Sequence, residues 1–233
     1  MTDVANGVLA VTPRTRLRRL PERGVFDRAA IYRILDEAFI CHVAFVVEGQ
    51  PFAMPTGYAR LGDALYFHGS AASRMVRQLS AGLEVCCTVT LLDGLVLARS
   101  AFHHSVNYRS VVVLGTAHLV EGREEKLAAL RGFTDHVVPG RWAEVRPITD
   151  QELKGTSVLR LPIEEASAKV RTGPPKDDDE DLAWPVWAGV VPLVTSPGAP
   201  VPDGPMPPGV TAFDGARLGR RYLQSPAATN PAQ

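Results

Sequence analysis

The chain has 233 residues, of which 25 are basic and 25 acidic, so its formal net charge is +0. Zero net charge gives no general attraction to nucleic acid or to an acidic membrane. We find no apolar run of the roughly 18–20 residues that span a bilayer, and no apolar signal segment at the start. Three cysteines do not make a disulfide framework, so a cytoplasmic protein is predicted.

The two ends of the chain differ from its middle. Residues 1–13 carry no periodic pattern and are predicted to be a flexible N-terminus. Residues 174–200 begin with Pro174-Pro175 and continue with an acidic run at 177–181 and the apolar stretch WPVWAGVVPL, which we interpret as a solvated linker and an apolar arm. Residues 201–233 are rich in proline and glycine and are predicted to be extended or disordered. One domain is therefore expected over residues 14–173.

The first half of this domain predicts one helix followed by short strands. Asp27 is expected to cap the helix, because the apolar residues that follow share one face. These residues are Ile31, Ile34, Leu35 and Ala38. Strands are predicted over 41–47, 52–60 and 64–68, separated by turns at Gly49-Gln50-Pro51 and Gly62-Asp63.

The second half continues the same pattern. A helix is predicted from Arg74 to a stop at Gly82, and a strand over 84–92 is followed by Asp93-Gly94, the strongest hairpin signal in the chain. A long strand is predicted over 108–120, an amphipathic helix over 124–138 and a last strand over 156–163. Six or seven hairpin-connected strands with inserted helices indicate a mainly β protein built on an antiparallel barrel.

One segment combines strand, small residues and an arginine at a helix entrance. It reads LYFHGSAASRMVRQLS (65–80), with Arg74 where the helix macrodipole disfavours a cation. The hydroxyls of Ser70 and Ser73, exposed backbone N–H groups and a planar guanidinium together suit a phosphate. The alternative is that Ser73 merely caps the helix and Arg74 lies in water. The residues alone leave both interpretations open.

Other chemistries receive little support. Adjacent strand residues point to opposite faces, so His103-His104, Cys41-His42 and Cys86-Cys87 make poor chelates, and no metal site is predicted. A nucleophile elbow and the glycine-rich dinucleotide and phosphate-loop motifs are absent from the sequence. The arginines of 14–23 lack the interleaved aromatic residues of single-strand binders, which favours a solubilising arm or a contact with a partner.

The order of these segments resembles the FMN-binding split-barrel superfamily of pyridoxamine 5'-phosphate oxidase, nearest the nitroimidazole-resistance (Nim-type) flavoproteins. The resemblance runs from RTRLRRLPERGVFDRAAIYRILDEAFICHVAF through QPFAMPTGYARLGDALYFHGSAASRMVRQL to YRSVVVLGTAHLVEGREEKLAAL. It implies a split β-barrel and a homodimer with one FMN at each shared interface.

The resemblance also implies a set of cofactor contacts. They are Met54, Pro55, Thr56, His68, Gly69, Ser70, Ser73, Arg74, Tyr108 and Ser110. Ser73 and Arg74 are expected to hold the phosphate, while Tyr108 and Ser110 approach the cofactor from a later strand. His68 is the expected catalytic residue, because an imidazole at the flavin edge can orient or protonate a substrate.

The implied function is an FMN-dependent oxidoreductase that reduces a small electron-poor substrate with electrons from NAD(P)H. One alternative is the same fold with a deazaflavin or haem in place of FMN. A second is a flavin-binding stress-response module without turnover. A third is a metal-dependent hydrolase, which the histidine and cysteine spacing argues against.

Overall fold

The structure is a computed structural model that describes residues 7–218. These residues form two antiparallel sheets and four α-helices. The strands within 7–218 are Gly24–Val25 (β1), Ile40–Val47 (β2), Gln50–Gly57 (β3), Ala59–Leu61 (β4), Ala64–Ser70 (β5), Glu84–Leu97 (β6), Ser105–Thr116 (β7), His118–Leu119 (β8), Thr156–Pro162 (β9), Glu165–Arg171 (β10) and Gly189–Pro192 (β11). The helices are Arg28–Glu37 (α1), Arg74–Ser80 (α2), Arg123–Val137 (α3) and Asp150–Gly155 (α4).

The larger sheet has the strand order β1-β10-β7-β6-β2-β3, with β11 paired to β6. The smaller sheet has the order β4-β5-β9-β8. Each strand pair in both sheets is antiparallel. The predicted class, a mainly β antiparallel split barrel, is therefore confirmed, although the described residues form more strands than the six or seven expected.

The core lies where α1 meets the inner faces of the two sheets. Along β2 the side chains of Cys41, Val43 and Phe45 are buried while their neighbours point outward, as the period of two requires. The predicted cap of α1 is confirmed, because Asp27 accepts a hydrogen bond from the Ala30 N–H at 2.8 Å. The apolar face of α1 is buried against this core, as predicted.

The turn between β2 and β3 lies slightly earlier than predicted. Glu48 and Gly49 both have positive φ, 50° and 77°, and β3 begins at Gln50. Two consecutive residues with positive φ are the signature of a type I′ turn, which matches the twist of a two-residue hairpin. The prediction at Gly49-Gln50-Pro51 was one residue late because glycine and proline are the most typical turn residues, whereas Glu48 is not one.

The hairpin predicted at Asp93-Gly94 is wrong. Strand β6 runs through this dipeptide to Leu97, with a bulge between Leu92 and Gly94, and the chain reverses only after it. The Asp93 carboxylate accepts hydrogen bonds from Arg109. Gly94 pairs with Pro192 of β11, and an added Cβ would come 3.1 Å from the Val191 carbonyl oxygen. Because of these tertiary contacts, the two residues form a bulge within a continuous strand instead of a hairpin turn.

Strand β10 was not predicted, because EASAKVR contains few β-branched or aromatic residues. It forms because its small side chains fit a tightly enclosed position. Ala166, Ser167 and Ala168 are all buried, and the strand pairs with β7 over its whole length. Here burial and strand pairing outweigh intrinsic propensity.

Parts of the two end segments contact this domain. Leu9 is buried, Val8 forms a bridge with Asp27, and β11 pairs with the end of β6. The predicted domain limits, including the flexible N-terminus and the extended tail, stay predictions, and residues 1–6 and 219–233 lie outside the described residues. Among the helices of residues 7–218, none combines the length and apolar character needed to cross a bilayer.

Candidate functional site

The loop between β5 and α2 is a tight, internally bonded turn. The Ser73 N–H donates to the Ser70 carbonyl oxygen at 2.9 Å, and the Ala72 N–H donates to the Ser70 hydroxyl at 3.2 Å. Ser73 caps α2, its hydroxyl accepting a hydrogen bond from the Val76 N–H at 3.2 Å. Both hydroxyls act as acceptors within the loop, so each retains its own proton for donation to a ligand.

Arg74 is the first residue of α2 and is exposed. It makes no ion pair with any other residue in 7–218, and its guanidinium carbon lies 5.2 Å from the centre of the Phe52 ring on β3. This contact brings the start of α2 next to the edge of the larger sheet. The sequence did not identify Phe52, although this residue stands in the strand that the resemblance singled out.

Strand β3 lies at the edge of the larger sheet and divides its predicted cofactor contacts between two faces. Phe52, Met54 and Thr56 stand opposite the buried residues of β2, so they share the face that looks toward Arg74. Pro55 stands opposite the exposed His42 and lies on the other face. Met54 is 42% exposed, which leaves its side chain available to a ligand.

His68 lies near the end of β5, with its ring edge-on to Phe133 of α3. The two ring centres are 4.3 Å apart. Burial lowers the pKa of His68 below its usual 6.5, so the imidazole is neutral at pH 7. Within the described part of the chain it makes no hydrogen bond, which leaves its nitrogens for a ligand.

Phe133 also contacts the last residue of β3. A Cβ added to Gly57 would lie 2.8 Å from the Phe133 ring, so glycine is required for this packing. Strand β3 therefore has Arg74 near Phe52 at one end and Phe133 near Gly57 at the other, with five residue steps of about 3.4 Å each between them. Gly57 belongs to the face of the strand that carries Pro55, whereas Met54 and Thr56 share the face of Phe52. We call this second face, beside the start of α2, the β3 surface. Phe133 is one turn from Leu130 on the apolar face of α3, a spacing that the sequence already contained.

Gly69 allows α2 to pack closely on β5. A Cβ at this position would lie 3.2 Å from a Val76 methyl group and 3.8 Å from the Ser73 hydroxyl. Gly69, which was predicted as a cofactor contact, therefore has a packing role because it lacks a Cβ.

Tyr108 and Ser110 do not join this group within one chain. They lie on β7, three strands from β3, and alternate with residues that are buried, such as Val111. Both therefore belong to the outer face of the sheet, where Ser110 donates to the Lys169 carbonyl oxygen at 3.3 Å. Of the ten predicted cofactor contacts, those on β5, the following loop and the Met54 face of β3 lie on neighbouring elements. Pro55 lies on the opposite face of β3, and Tyr108 and Ser110 lie apart from the others.

We searched residues 7–218 for groups of side chains that could bind a metal ion. Across residues 7–218, no three or more His, Cys, Asp or Glu side chains are grouped in a way that would hold a metal ion. The Cys41 and Cys87 thiols are both buried, and their mutual hydrogen bond together with burial raises the pKa of Cys87. The Cys87 thiol is therefore protonated at neutral pH, and both side chains belong to the core.

Two solved structures resemble almost the whole chain. A flavocytochrome from Azotobacter vinelandii is 42% identical, with a TM-score of 0.83 over 89% of this chain and 96% of that chain. An FAD and haem binding protein from Mycobacterium smegmatis is 38% identical, with a TM-score of 0.79 over 84% and 96%. A protein described as a 5-nitroimidazole antibiotic resistance protein from Bacteroides thetaiotaomicron shares the fold, at 24% identity and a TM-score of 0.55 over 63% and 86%.

A comparison with curated proteins gives no match. The family model described as pyridoxamine 5'-phosphate oxidase matches residues 27–170, a range that holds each of the site residues predicted from the sequence. The resemblance inferred from the sequence is thereby confirmed: the chain belongs to the pyridoxamine 5'-phosphate oxidase family.

Proposed function

We propose that the chain binds a flavin on the β3 surface, beside the loop between β5 and α2, and acts as an oxidoreductase. The observation that carries this proposal is the 42% and 38% identity, over 89% and 84% of the chain, to a flavocytochrome and to an FAD and haem binding protein. Shares of 89% and 84% are larger than residues 27–170, so these similarities extend beyond the range of the family model.

The residues of the β3 surface and of the adjacent loop are of the kinds that bind a flavin. Met54 and Thr56 supply an accessible apolar face for the ring system, and Ser70, Ser73 and Arg74 supply donors for the phosphate. FMN is the prediction from the sequence, whereas the name of the Mycobacterium smegmatis protein supports FAD. Both cofactors carry a phosphate on the ribityl chain, so the same residues serve either one.

When bound, the flavin supplies the electron transfer itself. The chain contributes position and a local environment. His68 is neutral and offers a nitrogen to the flavin edge or to a substrate, while Phe133 fixes the orientation of its ring. NAD(P)H as the electron donor and a small electron-poor substrate belong to this proposal.

Haem is a second candidate cofactor. The names of both similar structures support it, one as a flavocytochrome and the other as a haem binding protein. In this chain, His68 would be able to hold the haem iron through a ring nitrogen, because its imidazole is neutral and makes no hydrogen bond within residues 7–218. A haem would add a one-electron carrier to the two-electron chemistry of the flavin.

We also propose a homodimer that completes the site. Tyr108 and Ser110 face outward from β7, so a partner chain packed on this face is the route by which they reach a flavin. Trp184 and Trp187 are 65% and 62% exposed, which is typical of apolar side chains that are covered in an assembly.

The direct test is the absorption spectrum of the purified protein, followed by release and mass spectrometry of what is bound. A band near ~450 nm and a released FMN or FAD are expected for a flavoprotein, with a Soret band in addition if haem is present. Anaerobic reduction by NADH and NADPH then identifies the donor. Protein that stays colourless after purification and after titration with FMN, FAD and haemin contradicts the proposal.

A further inference from the structure

Two segments of opposite charge lie at the same end of the larger sheet. The basic segment, Arg16, Arg18, Arg19 and Arg23, leads into β1. The acidic segment, residues 178–181, follows β10 and consists of four consecutive acidic residues. Strands β1 and β10 are antiparallel neighbours with Gly24 opposite Lys169, so the start of one lies beside the end of the other. A net charge of zero therefore conceals a local separation of charge.

The basic segment has no acidic partner within residues 7–218. The side chains of Arg16, Arg18 and Arg19 are exposed, and that of Arg23 is half-buried. None of these four arginines forms an ion pair with another described residue. Their charge is therefore available to a negatively charged surface outside the described chain.

Arg171 adds to this positive charge from below the surface. It is only 7% exposed, and its guanidinium donates to the oxygens of Asn107, Gly173 and Pro174, none of which is charged. Burial and then the nearby Arg23 lower the pKa of Arg171, but a guanidinium stays protonated in proteins. The potential beside Arg23 is therefore positive and is not balanced by a carboxylate at Arg171.

The acidic segment is equally short of partners. Asp178 lies 3.1 Å from His103, but Asp179, Glu180 and Asp181 form no ion pair with any other residue in 7–218. The segment also adjoins the exposed tryptophans, because the Trp184 N–H donates to the Asp181 carbonyl oxygen at 2.9 Å. Unpaired carboxylates thus border the apolar patch that we assign to the homodimer.

The segments are held in place by contacts at their flanks. Arg14, before the basic segment, donates to Glu165 of β10 at 3.1 Å. Asp177, before the acidic segment, has a side chain that is 3% exposed and pairs with Arg99 at 2.9 Å. Charges fixed on a rigid surface lose little conformational entropy when they meet a complementary surface.

We propose that the basic segment docks on the acidic segment of a second copy of this chain. A two-fold axis between the segments brings each one opposite its counterpart in the other copy, so the contact forms twice. Exposed ion pairs contribute little individually, but complementary charge around an apolar patch sets orientation and association rate and makes binding depend on salt. This inference rests on the proposed homodimer and assigns the charged contacts that determine how the two copies meet.

The test is sedimentation equilibrium of the full chain and of two charge-reversed variants. The basic-reversed variant is Arg16→Glu/Arg18→Glu/Arg19→Glu, and the acidic-reversed variant is Asp179→Lys/Glu180→Lys/Asp181→Lys. Each variant alone should dimerise at least about tenfold more weakly than wild type, because like charges then face each other. An equimolar mixture should recover the dimer mass, since both contacts are attractive in the mixed pair. An increase from about 0.05 to 0.5 M NaCl should weaken the wild-type dimer and the mixed pair alike.

The matched control is Arg33→Glu/Lys126→Glu/Lys154→Glu, which changes the net charge equally on helices α1, α3 and α4. It should dimerise like wild type and should not restore the acidic-reversed variant. A wild-type monomer contradicts the proposed homodimer itself. If wild type is a dimer and both reversed variants dimerise equally well, or if the control restores the acidic-reversed variant as well as the basic-reversed one does, the inference about the two segments is overturned while the homodimer stands.

Discussion

The guanidinium of Arg74 lies over the face of Phe52, with 5.2 Å between the guanidinium carbon and the ring centre. The contact has an energetic consequence for the start of α2. A cation in the first turn of a helix is unfavourable by about 0.3–1 kcal/mol. An exposed cation–π contact contributes about 0.5–1 kcal/mol in the opposite direction. The two effects nearly cancel, so the arginine is tolerated without a bound anion and remains available to one.

Arg74→Ala should weaken FMN or FAD binding by about ten- to a hundredfold. A charge-assisted hydrogen bond to phosphate contributes roughly 1.5–3 kcal/mol, which corresponds to that factor in affinity. Riboflavin lacks the phosphate and should bind wild type and variant almost equally. Titration of each ligand into both apo proteins, followed by flavin fluorescence, makes the comparison.

Phe52→Leu is the matched control for this experiment, because it removes the ring under Arg74 but keeps the charge. It should affect the phosphate-bearing flavins less than Arg74→Ala does. If riboflavin loses as much affinity as FMN in the Arg74 variant, the arginine holds the loop in place and the phosphate role is wrong.

The stability of the protein should depend on the protonation of His68. Burial lowers the pKa of the folded imidazole below 6.5, so the unfolded chain binds this proton at pH values where the folded chain does not. Stability is therefore unaffected above about pH 6.5, the unfolded value, and falls as the pH drops from there toward the folded pKa. Between pH 7.5 and 5.5, His68→Gln should lose less of its free energy of unfolding in urea than wild type does.

His118→Gln is the control, since His118 is exposed on β8. It should follow the wild-type curve. Each unit by which the folded pKa lies below the unfolded one corresponds to about 1.4 kcal/mol, so the difference between the two curves measures the shift. If wild type and His68→Gln lose equal free energy of unfolding over this pH range, groups other than His68 cause the loss of stability in acid.

His68→Ala should retain the flavin but slow turnover by about a hundredfold, the lower end of what a lost acid–base group costs. The reason is its position near the end of β5, two residues before Ser70, with its neutral ring against Phe133. Single-turnover reduction of a nitroaromatic compound, with flavin content measured in the same sample, tests this. Unchanged turnover would leave His68 with a structural role.

The sequence predicted those parts of the site that depend on local signals. Ser73 is a helix cap and is followed three residues later by an N–H that needs an acceptor, which is readable from spacing alone. The Asp27 cap and the apolar face of α1 were predicted for the same reason. The grouping of ten cofactor contacts came from the family resemblance, and the structure divides it, with Tyr108 and Ser110 on the outer face of a distant strand.

What the sequence missed depends on contacts between residues far apart in the chain. Asp93-Gly94 has the composition of a hairpin turn, but Arg109 and β11 hold it within a continuous strand. In the acidic run after Pro175, Asp177 accepts hydrogen bonds from the backbone and side chain of Arg99, each at 2.9 Å, and composition does not indicate such a partner. Sequence patterns indicate contacts between residues a few positions apart. The Arg109–Asp93 and Arg99–Asp177 partners are 16 and 78 residues apart.

The exposed tryptophans lead to a prediction about assembly. Size-exclusion chromatography with light scattering should give about twice the chain mass of 25.2 kDa. The double variant Trp184→Ser/Trp187→Ser should shift this mass toward a single chain, because it removes the apolar patch before β11. Val201→Ser, 90% exposed in the tail, is the control and should remain dimeric. A wild-type monomer that retains flavin would contradict the proposed assembly.

Arg109 should be among the most sensitive charged positions for stability. Its guanidinium donates to Asp93 at 2.9 and 2.7 Å and to Glu37 at 2.8 Å, with a further short hydrogen bond to Glu37. The hydrogen bonds to Glu37 and then to Asp93 raise the pKa of Arg109, so it is charged at every accessible pH. It joins the end of α1 to the bulge in β6.

Arg109→Met should lower the free energy of unfolding by about 1–3 kcal/mol. Breaking a buried ion pair costs about 3–5 kcal/mol, and solvent screening reduces this, because the three side chains are 29–35% exposed. The loss comes from two carboxylates left facing each other. The triple variant Arg109→Met/Glu37→Gln/Asp93→Asn removes this repulsion and should recover most of the stability in urea unfolding. Arg146→Met, which breaks an exposed pair with Glu152, should have a much smaller effect. If the triple variant is as unstable as Arg109→Met, the loss of stability comes from the packing of the arginine methylene groups and not from repulsion between the two carboxylates.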